Sequence, residues 1–205
     1  MPRRASQSQD LHGNVPDVSP VALLLIDVMN DLDFPGNEEL IKHAATLGRN
    51  IAGLKRRCRR AGIPAIYVND NWEKWRSDFG AVIAHCRMPE SPGRPLVEQL
   101  VPEAEDYIVL KPKHSAFYAT PLDTILGYLK VRAVILAGLT TAACVLLTAG
   151  EIYVRDLQLY VPSDCVAALH DRNQRKALHL MRESFHAVTT PSPRLQVNHL
   201  VRKQK

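Results

Sequence analysis

The segment Val21-Ala-Leu-Leu-Leu-Ile26 is apolar at all six positions and stops abruptly at Asp27. A strand with one wet face would alternate apolar with polar residues. An unbroken run needs cover on both faces, as strands of a parallel sheet have. The chain that follows supplies such cover. Over Glu38–Arg60 the apolar residues fall at 40, 44, 47, 51, 54 and 58, with Lys42, Arg49, Asn50 and Arg57 off that line. Steps of three and four trace one stripe of a helix, and Gly62 stops it.

The same alternation continues to the end of the chain. Ile63–Val68 reads as a second strand, followed by the polar, Trp-bearing loop Asn69–Trp75 and a short helix over about Asp78–Cys86. Pro89, Pro92, Gly93 and Pro95 mark a connection with a helical turn near Leu96–Leu100. Tyr107–Leu110 is the third strand, ending at Lys111. Thr120–Lys130 is a helix with Thr120 as its cap and Pro121 at its first position. Ala133–Ala137 is the fourth strand, Gly138–Ala142 a turn, and Ala143 to about Arg155 an almost wholly apolar helix. Leu157–Pro162, Asp171–Ser184 and His186–Thr190 add a strand, a helix and a short sixth strand. Such alternation specifies a three-layer α/β domain, Rossmann-like, with a mostly parallel sheet and helices on both faces. The expected boundaries are a loose tail over 1–20, one domain over 21–198, and a basic tail over 199–205.

Composition narrows the partners. The 26 Lys and Arg against 21 Asp and Glu give a net charge of only +5, and 46% of residues are hydrophobic, which suits a folded core rather than disorder. No apolar run approaches the roughly 18–20 residues of a bilayer span. The run Lys55-Arg-Arg-Cys-Arg-Arg60 fits either a nucleic-acid patch or a solvated helix end. No aromatics interleave with it to stack on bases, which favours the helix end. We therefore expect neither nucleic acid nor membrane as a partner. Cys58, Cys86, Cys144 and Cys165 form no CxxC pair, and the basic N-terminus lacks a following apolar stretch. Reduced thiols and a cytoplasmic location are the expectation.

Ligands of an open α/β sheet sit beyond the carboxyl ends of its strands. Three reactive residues fall there: Asp27 after the first strand, Lys111 after the third and Cys144 beyond the fourth. Cys144 lies in the first turn of a helix, where the dipole favours a thiolate and lowers its pKa. A small buried side chain is the competing reading of that cysteine. Together the three supply a nucleophile, an acid–base group and a cation.

Three motifs in order resemble those of the isochorismatase-like cysteine hydrolases. They are Leu25-Ile-Asp-Val-Met-Asn-Asp-Leu32, Leu110-Lys-Pro-Lys-His-Ser-Ala-Phe-Tyr-Ala-Thr-Pro-Leu122 and Ala137-Gly-Leu-Thr-Thr-Ala-Ala-Cys-Val145. The resemblance spans about residues 20–190. It implies a six-stranded sheet in the order 3-2-1-4-5-6, and Asp27, Lys111 and Cys144 as a catalytic triad. It also implies a cis peptide in the turn, at Thr140–Thr141, with the N–H groups of Thr141 and Cys144 forming an oxyanion hole. Met29 and His114 depart from the family pattern at positions not expected to touch the triad. Asp70-Asn71-Trp72 lacks the His of the metal-binding members, so no metal and no cofactor are expected.

The implied activity is hydrolysis of a C–N bond in a small amide, ureido or imide compound through a thioester. Enol-ether hydrolysis and a non-catalytic binding or redox-sensing role on the same fold are the alternatives. Trp72, Trp75, Phe117 and Tyr118 are candidate walls of the substrate pocket. Arg76 and Arg87 are weaker candidates for an anionic group, and a homodimer or homotetramer is the expected assembly.

Overall fold

The computed structural model describes residues 18–71 and 78–204. Its six strands are β1 (Val21–Ile26), β2 (Ala65–Asp70), β3 (Tyr107–Lys111), β4 (Ala133–Leu139), β5 (Gln158–Tyr160) and β6 (Val166–Ala167). All pairings are parallel, and the main path runs β3-β2-β1-β4-β5. The helices are α1 (Glu38–Arg60), α2 (Phe79–Cys86), α3 (Arg94–Val97), α4 (Leu122–Leu129), α5 (Leu146–Tyr153), α6 (Asp171–Ser184) and α7 (Val197–Lys203).

The period of two along each central strand divides the core. Val21, Leu23 and Leu25 of β1 join Ala65 and Tyr67 of β2 beneath α1, α2, α3 and α7. Ala22, Leu24 and Ile26 join Ile66 and Val68 on the opposite face, beneath α4, α5 and α6. Each face of the sheet is therefore sealed by helices, which is why β1 tolerates no polar residue. No helix among the described residues is long and apolar enough to cross a membrane.

Three edges differ from expectation. The sixth strand is Val166–Ala167, which pairs with β4 through Gly138 and Leu139 just past the end of β5. The stretch expected as the sixth strand, His186–Thr190, makes a single parallel bridge from Val188 to Tyr160. Residues 199–203, part of the stretch expected as a basic tail, lie within α7. There Val197 and Leu200 sit at helical spacing and are buried in the core. Gln204 closes the end by donating to Gln158 Oε1 at 2.7 Å. The expected N-terminal tail falls outside the described residues through position 17. Its last residues belong to the sheet: Ser19 is buried, and the Pro20 carbonyl accepts from Arg132 and Ala133.

One glycine fixes how closely β1 and β4 approach at their carboxyl ends. Gly138 has φ +120°, and a Cβ placed there would meet the Ile26 carbonyl oxygen at 2.0 Å. Neither the space nor the backbone conformation admits a side chain. Gly138→Ala is expected to destabilise the fold by at least about 3 kcal/mol in urea unfolding, combining overpacking with a strained φ. A change under about 1 kcal/mol would show that the two strand ends separate freely.

Candidate active site

Asp27 is the first residue past β1, with its N–H bonded to the Val68 carbonyl at 3.0 Å and φ at +50°. Lys111 is the last residue of β3, two strands away, and has no exposed surface. Its side chain lies across the end of β2, whose Asp70 is its register partner. Cys144 lies in a single π-helical turn, Thr141–Val145, that links β4 to α5. Single π turns of this kind recur at functional sites.

The four side chains meet. Lys111 Nζ lies 2.9 Å from Asp27 Oδ2 and 3.7 Å from Cys144 Sγ, and also pairs with Asp70. Asp27 Oδ1 accepts the Asp70 backbone N–H at 2.9 Å. Both carboxyl oxygens of Asp27 are thus engaged. The structure brings together the three residues singled out from the sequence and adds Asp70.

Burial and charge set the protonation states. Burial raises the Asp27 carboxyl to about 6, although Lys111 pulls it down; Asp70 pushes it up further. Burial pushes the Lys111 ammonium down, but Asp27, Cys144 and Asp70 outweigh this and hold it above the ordinary lysine value. Burial, then the Asp27 charge, pushes the Cys144 thiol up to about 12 against the pull of Lys111. The thiolate-favouring environment expected from the helix start is therefore overridden in the resting site. The sulfur keeps its proton until a base takes it.

Two residues that sequence reasoning passed over also belong here. His114 Nδ1 lies 3.5 Å from Cys144 Sγ, so this departure from the family pattern does touch the cysteine. Met29, the other departure, does not touch it. Its backbone is held instead by the buried side chain of Asn69, which accepts from Met29 N at 3.1 Å and donates to Met29 O at 2.7 Å. A polar residue at the end of an apolar strand was the available signal for Asn69.

The turn before Cys144 is also pinned. The cis peptide is Leu139–Thr140, one bond earlier than expected, directly after the pairing of Leu139 with Ala167 of β6. The Thr140 carbonyl accepts from Ala143 N at 3.0 Å and Val145 N at 3.2 Å. Thr141 is fully buried, and its hydroxyl bonds to Gln174 of α6.

The expected pocket walls are not all there. Phe117 is buried with Arg155 stacked on its ring at 4.2 Å, past the far end of α5 from Cys144. Tyr118 is exposed at 59%. Ala116, just before them, is tied to Thr148 of α5. Trp72, Trp75 and Arg76 lie outside the described residues, and Arg87 is an exposed residue capping α2.

Beside Asp70 a cleft of about 90 Å³ is lined by Met29, Asn69, Asn71 and His85, the last paired with Asp31 at 2.8 Å. A groove of about 740 Å³ between the end of α1 and α7 is larger. It lies at the amino ends of the strands, on the side where open α/β sheets do not bind substrates. No group of three or more His, Cys, Asp or Glu that could hold a metal ion occurs among the described residues.

The isochorismatase domain model matches residues 21–192. An uncharacterized isochorismatase family protein of Bacillus subtilis, YaaI, is 35% identical over 82% of this chain and 92% of its own. The ureidoacrylate amidohydrolase RutB of Methylorubrum extorquens is 26% identical over 68% of this chain and 66% of its own. Among solved structures, N-carbamoylsarcosine amidase from Thermoplasma acidophilum superposes with a TM-score of 0.64 at 26% identity. That superposition covers 86% of this chain and 98% of the amidase.

Asn69→Ala would strand the buried N–H and carbonyl of Met29 together, an expected loss of about 2–4 kcal/mol in urea unfolding. A loss within about 0.5 kcal/mol would show that the loop after β1 is held by something else.

Proposed function

Because the chain belongs to the isochorismatase family, we propose that it hydrolyses a C–N bond of a small amide, ureido or imide compound, using Cys144 as nucleophile. The observation that carries this reading is the Lys111 ammonium placed 2.9 Å from Asp27 and 3.7 Å from the Cys144 sulfur. Acyl transfer by a thiol needs a base for its proton and a cation to hold the resulting charges in register. A binding module needs neither. Two similar proteins, a ureidoacrylate amidohydrolase and an N-carbamoylsarcosine amidase, are amide hydrolases, which supports the same bond class here.

Asp27 takes the thiol proton as the sulfur attacks the substrate carbonyl, and the C–S bond forms. The oxyanion is assigned to the N–H groups of Thr141 and Cys144, each such donor being worth about 3 kcal/mol of barrier. Asp27 then passes its proton to the leaving nitrogen as the C–N bond breaks, giving a thioester. Water attacks the thioester carbonyl and gives a proton to Asp27. As the second tetrahedral species collapses, the C–S bond breaks and that proton returns to sulfur. Lys111 stays protonated throughout and compensates whichever of Asp27 or Cys144 carries the negative charge.

A panel of carboxamides, ureido acids and cyclic imides, assayed for ammonia or amine release, should yield at least one substrate. Cys144→Ala should lose at least about 10³-fold in turnover on it. Full turnover by that variant would exclude the thiol mechanism. Asp27 must be ionised to accept a proton, and its carboxyl is raised to about 6. The value of kcat/KM should therefore fall as pH drops through about 6 and hold level from 7 to 9. Asp27→Asn should lose about 10²–10⁴-fold, the usual contribution of a positioned acid–base group. A wild-type profile flat down to pH 4.5 would remove Asp27 as the base.

A further inference from the structure

His114 stands on the segment between β3 and α4, and it is exposed, whereas Asp27 and Lys111 are buried. Its Nδ1 nevertheless reaches to 3.5 Å from Cys144 Sγ. The segment is held in place by neighbours. Ala116 N–H donates to the fully buried Thr148 hydroxyl at 3.1 Å, and Thr120 Oγ1 donates to the Ala116 carbonyl at 2.6 Å. Thr148 lies one helical turn beyond Cys144, so the imidazole and the sulfur are carried by one rigid corner.

The direction of the contact follows from counting protons. A thiol has one, and the Asp27 carboxyl, which shares Lys111 with the sulfur and is raised by burial, is the group placed to receive it. Once that proton points to Asp27, the lone pairs of sulfur face the other two neighbours. One is Lys111, which has only protons to offer. The other is His114, which completes the set if its proton is on Nδ1. A hydrogen bond to a thiolate is charge-assisted and stronger than one to a neutral thiol, so it favours the reactive form.

We propose that His114 is a further catalytic group of this site, donating a hydrogen bond from Nδ1–H to the Cys144 sulfur on its solvent side and stabilising the thiolate. The use of that thiolate in amide hydrolysis rests on the hydrolase reading above; the contact itself requires no substrate. His114 thus supplies the outer half of a sulfur environment whose inner half is Lys111.

The test is alkylation of the whole protein by iodoacetamide at pH 7.5, followed at the Cys144 peptide by mass. In this reaction the sulfur–carbon bond forms, iodide leaves, and the thiol proton passes to Asp27. His114→Phe keeps a planar ring and removes the donor. His114→Gln keeps an N–H donor without the ring. The side chain is exposed, so both variants should melt with the wild type. Alkylation of Cys144 should slow about tenfold in His114→Phe, in line with a hydrogen bond to a charged group, and recover to within about threefold in His114→Gln. A His114→Phe rate equal to or above wild type would overturn the proposal, since the imidazole would then be a bystander or a screen. A His114→Gln rate as slow as His114→Phe would also overturn it, because ring shape and not proton donation would be responsible. Retained turnover in Cys144→Ala sinks the hydrolase reading but leaves this rate comparison intact. Normal alkylation in both His114 variants sinks only the present proposal.

Discussion

An ammonium group with no exposed surface sits at the carboxyl edge of the sheet, and the arrangement around Lys111 exists to satisfy it. Burying a cation costs several kcal/mol unless opposite charge and hydrogen-bond acceptors surround it. Here Asp27 and Asp70 do so from the ends of β1 and β2. The strand order makes this possible. Because β2 lies between β3 and β1, the lysine chain must pass over Asp70 to reach Asp27, and the parallel register sets Asp70 directly beside it. The close approach of β1 and β4 at Gly138 then brings the π turn carrying Cys144 over the same point. A comparison within the molecule shows what the sulfur adds. Lys55 is also a buried lysine paired with carboxylates, Asp106 and Glu103, but its remaining neighbour is the Tyr67 hydroxyl at 3.1 Å. That ion pair holds α1 to the chain before β3 and has no sulfur beside it.

Thiol acidity alone does not single out Cys144. Cys58, Cys86 and Cys165 are likewise pushed up to about 12 by burial. What separates Cys144 is its company. It alone has an ammonium at 3.7 Å, a carboxyl with a pKa near 6 as a proton acceptor, and an imidazole at its outer side. The site carries two carboxylates against one ammonium. Ionising the thiol as well would add a second uncompensated negative charge in a low-dielectric space. Moving its proton to Asp27 avoids this, because the total charge does not change. Proton transfer within the site is therefore the physically accessible way to a reactive sulfur.

Much of this was legible in the residues. The all-apolar β1 required cover on both faces and has it. The stripe on Glu38–Arg60 matched α1 at both ends, and the placement of Asp27, Lys111 and Cys144 after their strands foretold that they would meet. Long-range features were not legible. A two-residue strand such as β6 has no periodicity to detect, and only its pairing with Gly138 and Leu139 reveals it. The last basic residues looked like a solvated tail because charge masked the apolar spacing of Val197, Leu200 and Val201. Phe117 and Tyr118 follow a site motif in sequence, yet Phe117 is buried beneath Arg155 and Tyr118 is exposed, placements that only the packing reveals. Asn69 and His114 act through contacts with residues 40 and 30 positions away, beyond the reach of any local pattern.

The central claim is that Cys144 carries the acyl group of the substrate. Acid-quenching the enzyme during turnover of a slow amide or ureido substrate, then weighing the Cys144 peptide, tests this most directly. The account predicts a mass increase equal to the acyl fragment, removed by hydroxylamine and absent from the peptides of Cys58, Cys86 and Cys165. Steady hydrolysis with no adduct on Cys144, while hydroxylamine intercepts no acyl product, would contradict it.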